Sequence, residues 1–266
     1  MKIILSRKGF DSSYGKQANP ILPDGTLLSL PIPDDDGNNT FSSLNWNGMS
    51  YYDIIHSLRP RTKIKEDKMC HLDPDLRKDV KDRLPGWKPA FGQSKAALSH
   101  LQNMGVGKGD LFLFFGWFRE TEMNQGKLIY KRKSKDLHII YGYMQIGEII
   151  DDPKSDVPDW LKEHPHVSDQ KDRNDKNNAI YLPTDKLSIM PDFNGCGLLN
   201  YRKDRVLTKD GMSKGKWDLP EFFKDVAISY HPHPWKDGYF QSADKGQEFV
   251  LDATPKIIDW AKHIIE

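Results

Sequence analysis

An uninterrupted apolar run, Leu111-Phe112-Leu113-Phe114-Phe115-Gly116-Trp117-Phe118, constrains the fold more than any other part of this 266-residue sequence. Side chains alternate between the two faces of a strand, so a strand apolar at every position must be covered on both sides. The run is therefore predicted to be a central strand between two layers. A second apolar segment, 138–150, is longer and carries Gly142 and Gly147. Glycines inside so long a strand mark strong bending or a bulge, as in a barrel wall.

The N-terminus adds a third strand, at 2–6, which runs into Ser6-Arg7-Lys8-Gly9-Phe10-Asp11-Ser12-Ser13-Tyr14-Gly15. A chain that only reverses needs two to five residues. About a dozen polar and glycine residues at the end of a buried strand read instead as a loop carrying binding or catalytic groups. An extended proline-rich run follows at 26–33. Ser50 and Asp53 form a capping box that opens a short helix. A further helix is predicted to open at Asp73-Pro74, with Leu76, Val80 and Leu84 on one face. Another spans 94–104, with Ala97, Leu98 and Leu101 buried and Gly105 as its stop. Residues 151–178 are polar and acidic, an excursion around a short helix at Trp160-Leu161. Shorter strands are expected at 179–182, 187–190, 226–231 and 248–252. A last helix opens at Thr254-Pro255 and buries Ile257, Ile258, Trp260, Ala261, Ile264 and Ile265. Strands and helices alternate without a βαβα rhythm, and neither a repeat nor a linker divides the chain. The expected fold is α+β, a single domain over 1–266 with a bent mixed sheet or partial barrel flanked by helices.

Hydrophobic residues are only 37% of the chain, but 12 Phe, 10 Tyr and 7 Trp compensate with large buried areas. The formal net charge of +1 excludes a global basic field, so attraction to an anionic partner must be local. Cys70 and Cys196, far apart, suit a reducing cytosol without a disulfide framework. No stretch approaches the ~20 apolar residues of a membrane span, and the N-terminal apolar run is too short for a signal peptide. A cytoplasmic protein with no membrane partner is expected.

Five segments carry candidate chemistry. Arg7, Lys8, Gly9, Asp11 and Ser12 form either an anion-binding nest closed by a cation or a solvated turn capped by Asp11 or Ser12. In His71-Leu72-Asp73-Pro74-Asp75 an extended backbone places His71, Asp73 and Asp75 on one face, suited to acid–base work or a divalent metal. The competing reading makes Asp73 an ordinary N-cap with Pro at N1. His164-Pro165-His166 and His231-Pro232-His233 each aim two rings the same way, but nothing in the sequence brings the pairs together, and no metal ligand set is assigned. Gln247 and Glu248 open an apolar strand, where the carboxylate serves as a general base or a base-edge acceptor, or simply faces water from an edge strand. Lys127–Lys135 holds five cations in nine residues. There Lys131, Arg132, Lys133 and Lys135 either grip a phosphate backbone or decorate a hairpin tip.

The order of these blocks resembles one family as a whole. SRKGFDSSYG, NPILPDG and SLPIP come first, then HLDPDL, and FGQSKAALSHL running into GDLFLFFGWFR. HPHV, GCGLLNY, WDLPEFF and GQEFVLD follow. Together they are similar to the third type of nucleotide modification associated domain, a family of bacteria and their phages. The resemblance implies the recognition or processing of nucleotides or modified bases in a modification or defence setting, and it brings no established mechanism. Arg7, Gly9, Asp11, His71, Asp73, Arg119, Gln247 and Glu248 lie inside matching blocks. Residues 105–150 also resemble the strand pair of PUA-like domains such as EVE and ASCH, bent barrels that hold a nucleobase. That likeness implies Gly116, Trp117 and Arg119 at a barrel mouth, with Trp117 stacking a base and Arg119 binding a phosphate.

Three functions follow: a reader of a nucleotide or modified base in nucleic acid, an enzyme working through His71, Asp73, Asp11 and Glu248, or an interaction component of a larger complex. The partner in the first two is a nucleotide or nucleic acid. The sequence leaves the cofactor and the oligomeric state open. Geometry separates reader from enzyme, because only an enzyme needs a carboxylate and a second titratable group in one cleft beside the Arg7–Asp11 loop.

Overall fold

The computed structural model describes the whole chain apart from Ser155, residues 230–232 and residues 243–247. Six strands build the main sheet: β1 (Lys2–Arg7), β2 (Phe91–Ser94), β3 (Leu111–Asn124), β4 (Leu137–Ile150), β5 (Asn178–Pro183) and β6 (Glu248–Asp252). Their order is β6-β1-β3-β4-β5-β2. Only the β1–β3 pair is parallel along this path, with Ile3 opposite Leu111 and Arg7 opposite Phe115. Short strands add to this sheet at Asn19–Ile21, Lys127–Tyr130 and Cys196–Leu198.

The central strands are buried on both faces. Ile3, Leu5, Leu111, Leu113 and Phe115 face one core, closed by Trp217, Phe240, Phe249 and the helix Pro255–Ile265. Ile4, Phe112 and Phe114 face the other, where they meet Phe91, Tyr181 and the helix Lys95–Asn103 through Leu98 and Leu101. The apolar run at 111–118 within β3 thus has a partner layer on each side, as the sequence predicts. The expected bends are also present. The register of β4 shifts between Ile140 and Gly142 against β3, and between Ile146 and Glu148 against β5. A Cβ on Gly147 would lie 2.8 Å from the Pro183 carbonyl oxygen, so that bulge requires glycine.

The bulges curl the sheet into a half-barrel, and its two ends meet through side chains. Gln93 of β2 donates to Glu248 of β6, though the strands are at opposite ends of the sheet order. Of the smaller elements, the capping box opens a helix at Tyr51–Leu58, where Asp53 N donates to Ser50 Oγ at 3.0 Å.

Three expected elements are absent, one of them the strand at 187–190, which is instead the turn between paired strands Lys186–Leu187 and Met190–Asn194. The helix from Asp73-Pro74 does not form; only a 3-10 turn at Lys78–Val80 remains, and Leu84 is exposed. Asp73 caps nothing there, because its carboxylate accepts from Gly92 N at 2.7 Å. Asp75 exchanges both backbone hydrogen bonds with Ala90, and Arg83 holds its carboxylate with two contacts of 2.6 Å. Tertiary partners therefore take the groups that a helix start needs. Residues 226–229 form no strand, with Ser229 N bonded singly to Val250 O. Both cysteines are free, and no helix among the described residues is long and apolar enough to cross a membrane.

Candidate active site

The loop after β1 folds back over the sheet edge because its own side chains close it. Asp11 Oδ1 accepts from the backbone N–H groups of Ser13 and Tyr14, each at 2.7 Å. Gly9 has φ +78°, and a Cβ there would fall 2.3 Å from Ser29 Oγ, so only glycine lets the loop approach residues 29–30. Lys8 turns inward. Its ammonium lies 2.9 Å from Glu248 Oε1 and 4.6 Å from the Phe91 ring centroid. Glu248 is fully buried and also accepts from Ser6 Oγ at 3.2 Å and from Gln93 Nε2.

Opposite this loop stands His71, the last residue of a short strand at Met69–His71. The polar excursion supplies the remaining wall. Pro165 sits at the first position of a short helix, Pro165–Ser168, and His164 precedes it, its Nδ1 accepting from His166 N. A second short helix, Gln170–Arg173, follows directly. Together they bury His166, Asp169 and Asp172 against His71.

The resulting cluster is dense in carboxylates and imidazoles. His71 Nδ1 lies 3.2 Å from Asp169 Oδ2, 3.8 Å from Asp34 Oδ2 and 4.0 Å from Asp172 Oδ2. His164 Nε2 faces Asp73 Oδ1 across 3.3 Å, and His166 Nε2 is 3.9 Å from Asp73 Oδ2. His166 Nδ1 is 2.7 Å from Asn178 Oδ1. These positions shift the protonation equilibria. Burial pushes the His71 imidazole down, but the Asp169 contact and the charges of Asp73 and Asp172 outweigh it, and the net shift is upward. Burial pushes the Asp73 carboxyl up, yet the facing His164, His166 and His71 rings bring it down to about 2. His166, dominated by burial, falls to about 4. One buried cluster thus sets imidazoles of opposite tendency beside ionised carboxylates, a combination frequent in catalytic sites.

A cavity of about 270 Å³ opens onto this cluster, lined by Arg7, Lys8, Gly9, Asp11, Tyr14, Ile32, Asp34, His71, Asp73, Gln93, Ser94, Lys95, His166, Lys171 and Asp172. Seven residues singled out in the sequence, Arg7, Lys8, Gly9, Asp11, His71, Asp73 and His166, therefore line one cavity. Ser12 belongs to the same loop but does not line the cavity. Glu248 lies behind it and reaches it only through Lys8 and Gln93. Asp75 points to Arg83 instead. Trp117 and Arg119 are elsewhere: the Lys214 ammonium stands 4.4 Å over the Trp117 ring, and Arg119 donates to Ser134 O and lies 3.6 Å from Asp136. Gln247 and His231 fall outside the described residues, and His233 is exposed. Lys131, Arg132, Lys133 and Lys135 are all exposed. Lys133 and Lys135 line a separate cleft of about 960 Å³, together with Tyr201, Arg202, Lys203 and Trp260.

Sequence reasoning missed Asp34, Lys95, Asp169, Lys171 and Asp172. The signal was present in His164-Pro165-His166-Val167-Ser168-Asp169, followed by Asp172, where potential ligands recur at short spacing. Two groups, His71 with His166 and Asp172, and Asp34 with His71 and Asp169, have donor atoms within 4.8 Å of one another.

No curated protein and no solved structure matches the chain. The family model described as nucleotide modification associated domain 3 matches residues 2–252. That span runs from β1 to the end of β6 and takes in every residue of the cavity wall, so this chain belongs to the nucleotide modification associated domain 3 family.

Proposed function

We propose that the chain is an enzyme that acts on a nucleotide, with the cavity between the Arg7–Asp11 loop and residues 164–172 as its reacting centre. The observation that carries this reading is the meeting of His71, Asp73 and His166 beside that loop. A reader of bases has no need of such a cluster. Its stacking slot was expected at Trp117, whose ring lies under Lys214 and outside the cavity.

The parts have distinct tasks. Arg7, Lys95 and Lys171 line the cavity, where Lys95 pairs with Asp172 and Lys171 with Asp34, while Glu248 holds Lys8 at the wall. With Nδ1–H donated to Asn178 Oδ1, His166 keeps its lone pair on Nε2, the nitrogen nearest Asp73. A cavity of about 270 Å³ falls just below the usual range of ligand pockets, roughly 300–1,000 Å³, which favours a single small unit over a length of polymer. The test is a panel of free nucleotides and nucleic-acid substrates incubated with the protein and followed by mass. Consumption of one class is expected, with a loss of about 10²–10⁴-fold in Asp73→Asn. Tight binding of a nucleotide without turnover would make the chain a reader instead.

A polynucleotide partner is a second reading, favoured by the larger cleft. Lys133, Lys135, Arg202 and Lys203 line it with Tyr201 and Trp260, cations and aromatic faces of the kind that hold a single strand, beside the carboxylates of Glu120, Asp204, Asp210 and Asp218. Two cations of the basic run already have carboxylate partners: Lys135 with Asp210 at 2.6 Å and Lys131 with Glu120 at 3.9 Å. Replacing Lys131, Arg132, Lys133 and Lys135 by Ala should therefore lower the salt slope of nucleic-acid binding by about two counterions rather than four. An unchanged slope removes this surface from the interface.

A further inference from the structure

We infer that the cavity holds a divalent first-row transition-metal ion on His71, His166 and Asp172. Their donor atoms already lie within 4.8 Å of one another, and all three residues are buried.

Two of the three ligands are gripped from behind. Asn178 holds His166 twice, at Nδ1 through its Oδ1 and at the backbone carbonyl through its Nδ2 at 2.8 Å. Asp172 Oδ1 accepts from Ser94 Oγ at 2.9 Å and lies 3.4 Å from Lys95 Nζ, which leaves Oδ2 for the ion. His71 presents Nδ1 to the cluster, 3.2 Å from Asp169 Oδ2 and 4.0 Å from Asp172 Oδ2, while Ser168 Oγ steadies Asp169 Oδ1 at 3.0 Å. Outer partners of this kind orient the ligands of metal centres and fix their tautomers. A merely structural cluster has no need to hold one polar atom of His166 and one of Asp172 and leave the other facing its neighbours.

Charge gives a second argument. Four carboxylates, those of Asp34, Asp73, Asp169 and Asp172, crowd the His71 and His166 rings. Lys95 and Lys171 are the lysines paired with them among the described residues. Buried carboxylates in excess are costly unless a cation joins them.

Two imidazoles and a carboxylate select the metal class. Mg²⁺ and Ca²⁺ prefer all-oxygen sites, whereas mixed nitrogen and oxygen donors suit Mn²⁺, Fe²⁺, Co²⁺ or Zn²⁺. Three protein ligands leave positions open toward the cavity, where a water or a nucleotide oxygen completes the shell. Only this last role rests on the enzyme reading; the binding of the ion stands on the geometry alone.

The experiment uses the full chain, stripped with EDTA and then titrated calorimetrically with Mn²⁺, Co²⁺, Zn²⁺ and Mg²⁺. The Co²⁺ absorption spectrum reports the donors. About one transition-metal ion per chain is expected to bind far more tightly than Mg²⁺. Asp172→Asn, which keeps the shape and the Ser94 contact, should weaken binding at least tenfold. Asn178→Ala, outside the ligand set, should weaken it about 10–100-fold. Failure of the folded wild-type protein to bind any of these ions overturns the inference, as does binding that Asp172→Asn and His166→Ala leave unchanged. Stoichiometric binding with no turnover of any nucleotide supports the metal site and overturns the enzyme reading. Turnover that survives EDTA, with no ion bound, does the reverse.

Discussion

Glu248→Ala should destabilise the protein by about 3–5 kcal/mol, the range for breaking a buried ion pair by removing one partner. The Glu248 side chain is 0% exposed and that of Lys8 9%. Truncation strands the Lys8 ammonium near the Phe91 ring and takes the acceptor from Ser6 and Gln93 at one stroke. The position makes the loss worse than a single contact. β6 and β2 lie at opposite ends of the sheet order, and Glu248 is where their side chains join as the half-barrel curls. Glu248→Gln keeps the packing and one oxygen acceptor, so its cost should be smaller, about 1.5–3 kcal/mol for a hydrogen bond to a charged group. Removing both charges in Lys8→Met with Glu248→Leu should recover much of the loss, since apolar replacement of a buried pair is often nearly neutral. Urea unfolding of the wild type, Lys8→Met, Glu248→Leu and the double variant closes the cycle, with Glu248→Ala and Glu248→Gln measured beside it. A loss below about 1 kcal/mol in Glu248→Ala would show that the pair does not clamp the sheet.

That role for Glu248 was hidden in the sequence for a physical reason. Glu248, Val250 and Asp252 alternate with Phe249 and Leu251, the pattern of an edge strand with one wet face. β6 is indeed at the end of the order, yet Glu248 and Val250 are buried while Asp252 is exposed. Periodicity reports the pleat of one strand. It carries no information about a sheet that curls until its far edge arrives. The same limit explains the site. The Arg7–Asp11 loop, His71 and Asp73 were legible because loop length and alternation are local signals. Asp169 and Asp172 were not, because acidic residues in a polar stretch look like a solvated turn until another segment buries them. The strand at 111–118 and the bends at Gly142 and Gly147 were legible for the opposite reason. A strand apolar at every position has only one environment that satisfies it. Asp73 failed as an N-cap because a local cap loses to a tertiary donor, Gly92 N, and three imidazoles.

Gly92→Ala should abolish the site while leaving the fold. Gly92 pairs with Ile180 between β2 and β5, and its N–H anchors Asp73 Oδ1. A Cβ at this position would stand 2.1 Å from His166 Cδ2 and 2.3 Å from Cγ, inside the imidazole ring's own space. The ring cannot simply back away. Asn178 holds it from behind, and the His71 and His164 rings flank it with centroids 5.2 and 5.8 Å distant. Either the His166 ring swings out of the cluster or β2 shifts and pulls its N–H from Asp73. Overpacking of this kind costs about 1–3 kcal/mol, which a chain of this size tolerates. Misplacing a reacting group by about 1 Å costs on the order of 100-fold in rate, so turnover should fall by at least that factor. Affinity for Co²⁺ or Mn²⁺ should fall in parallel, because His166 is one of three ligands. Gly107→Ala is the control, since nothing lies within 4 Å of its Cβ position. It should match the wild type in urea midpoint, metal affinity and rate. If Gly92→Ala folds and keeps wild-type metal affinity and turnover, His166 has no part in the site. The reacting centre would then have to be rebuilt around Asp34, His71 and Asp169, the other group that shares His71.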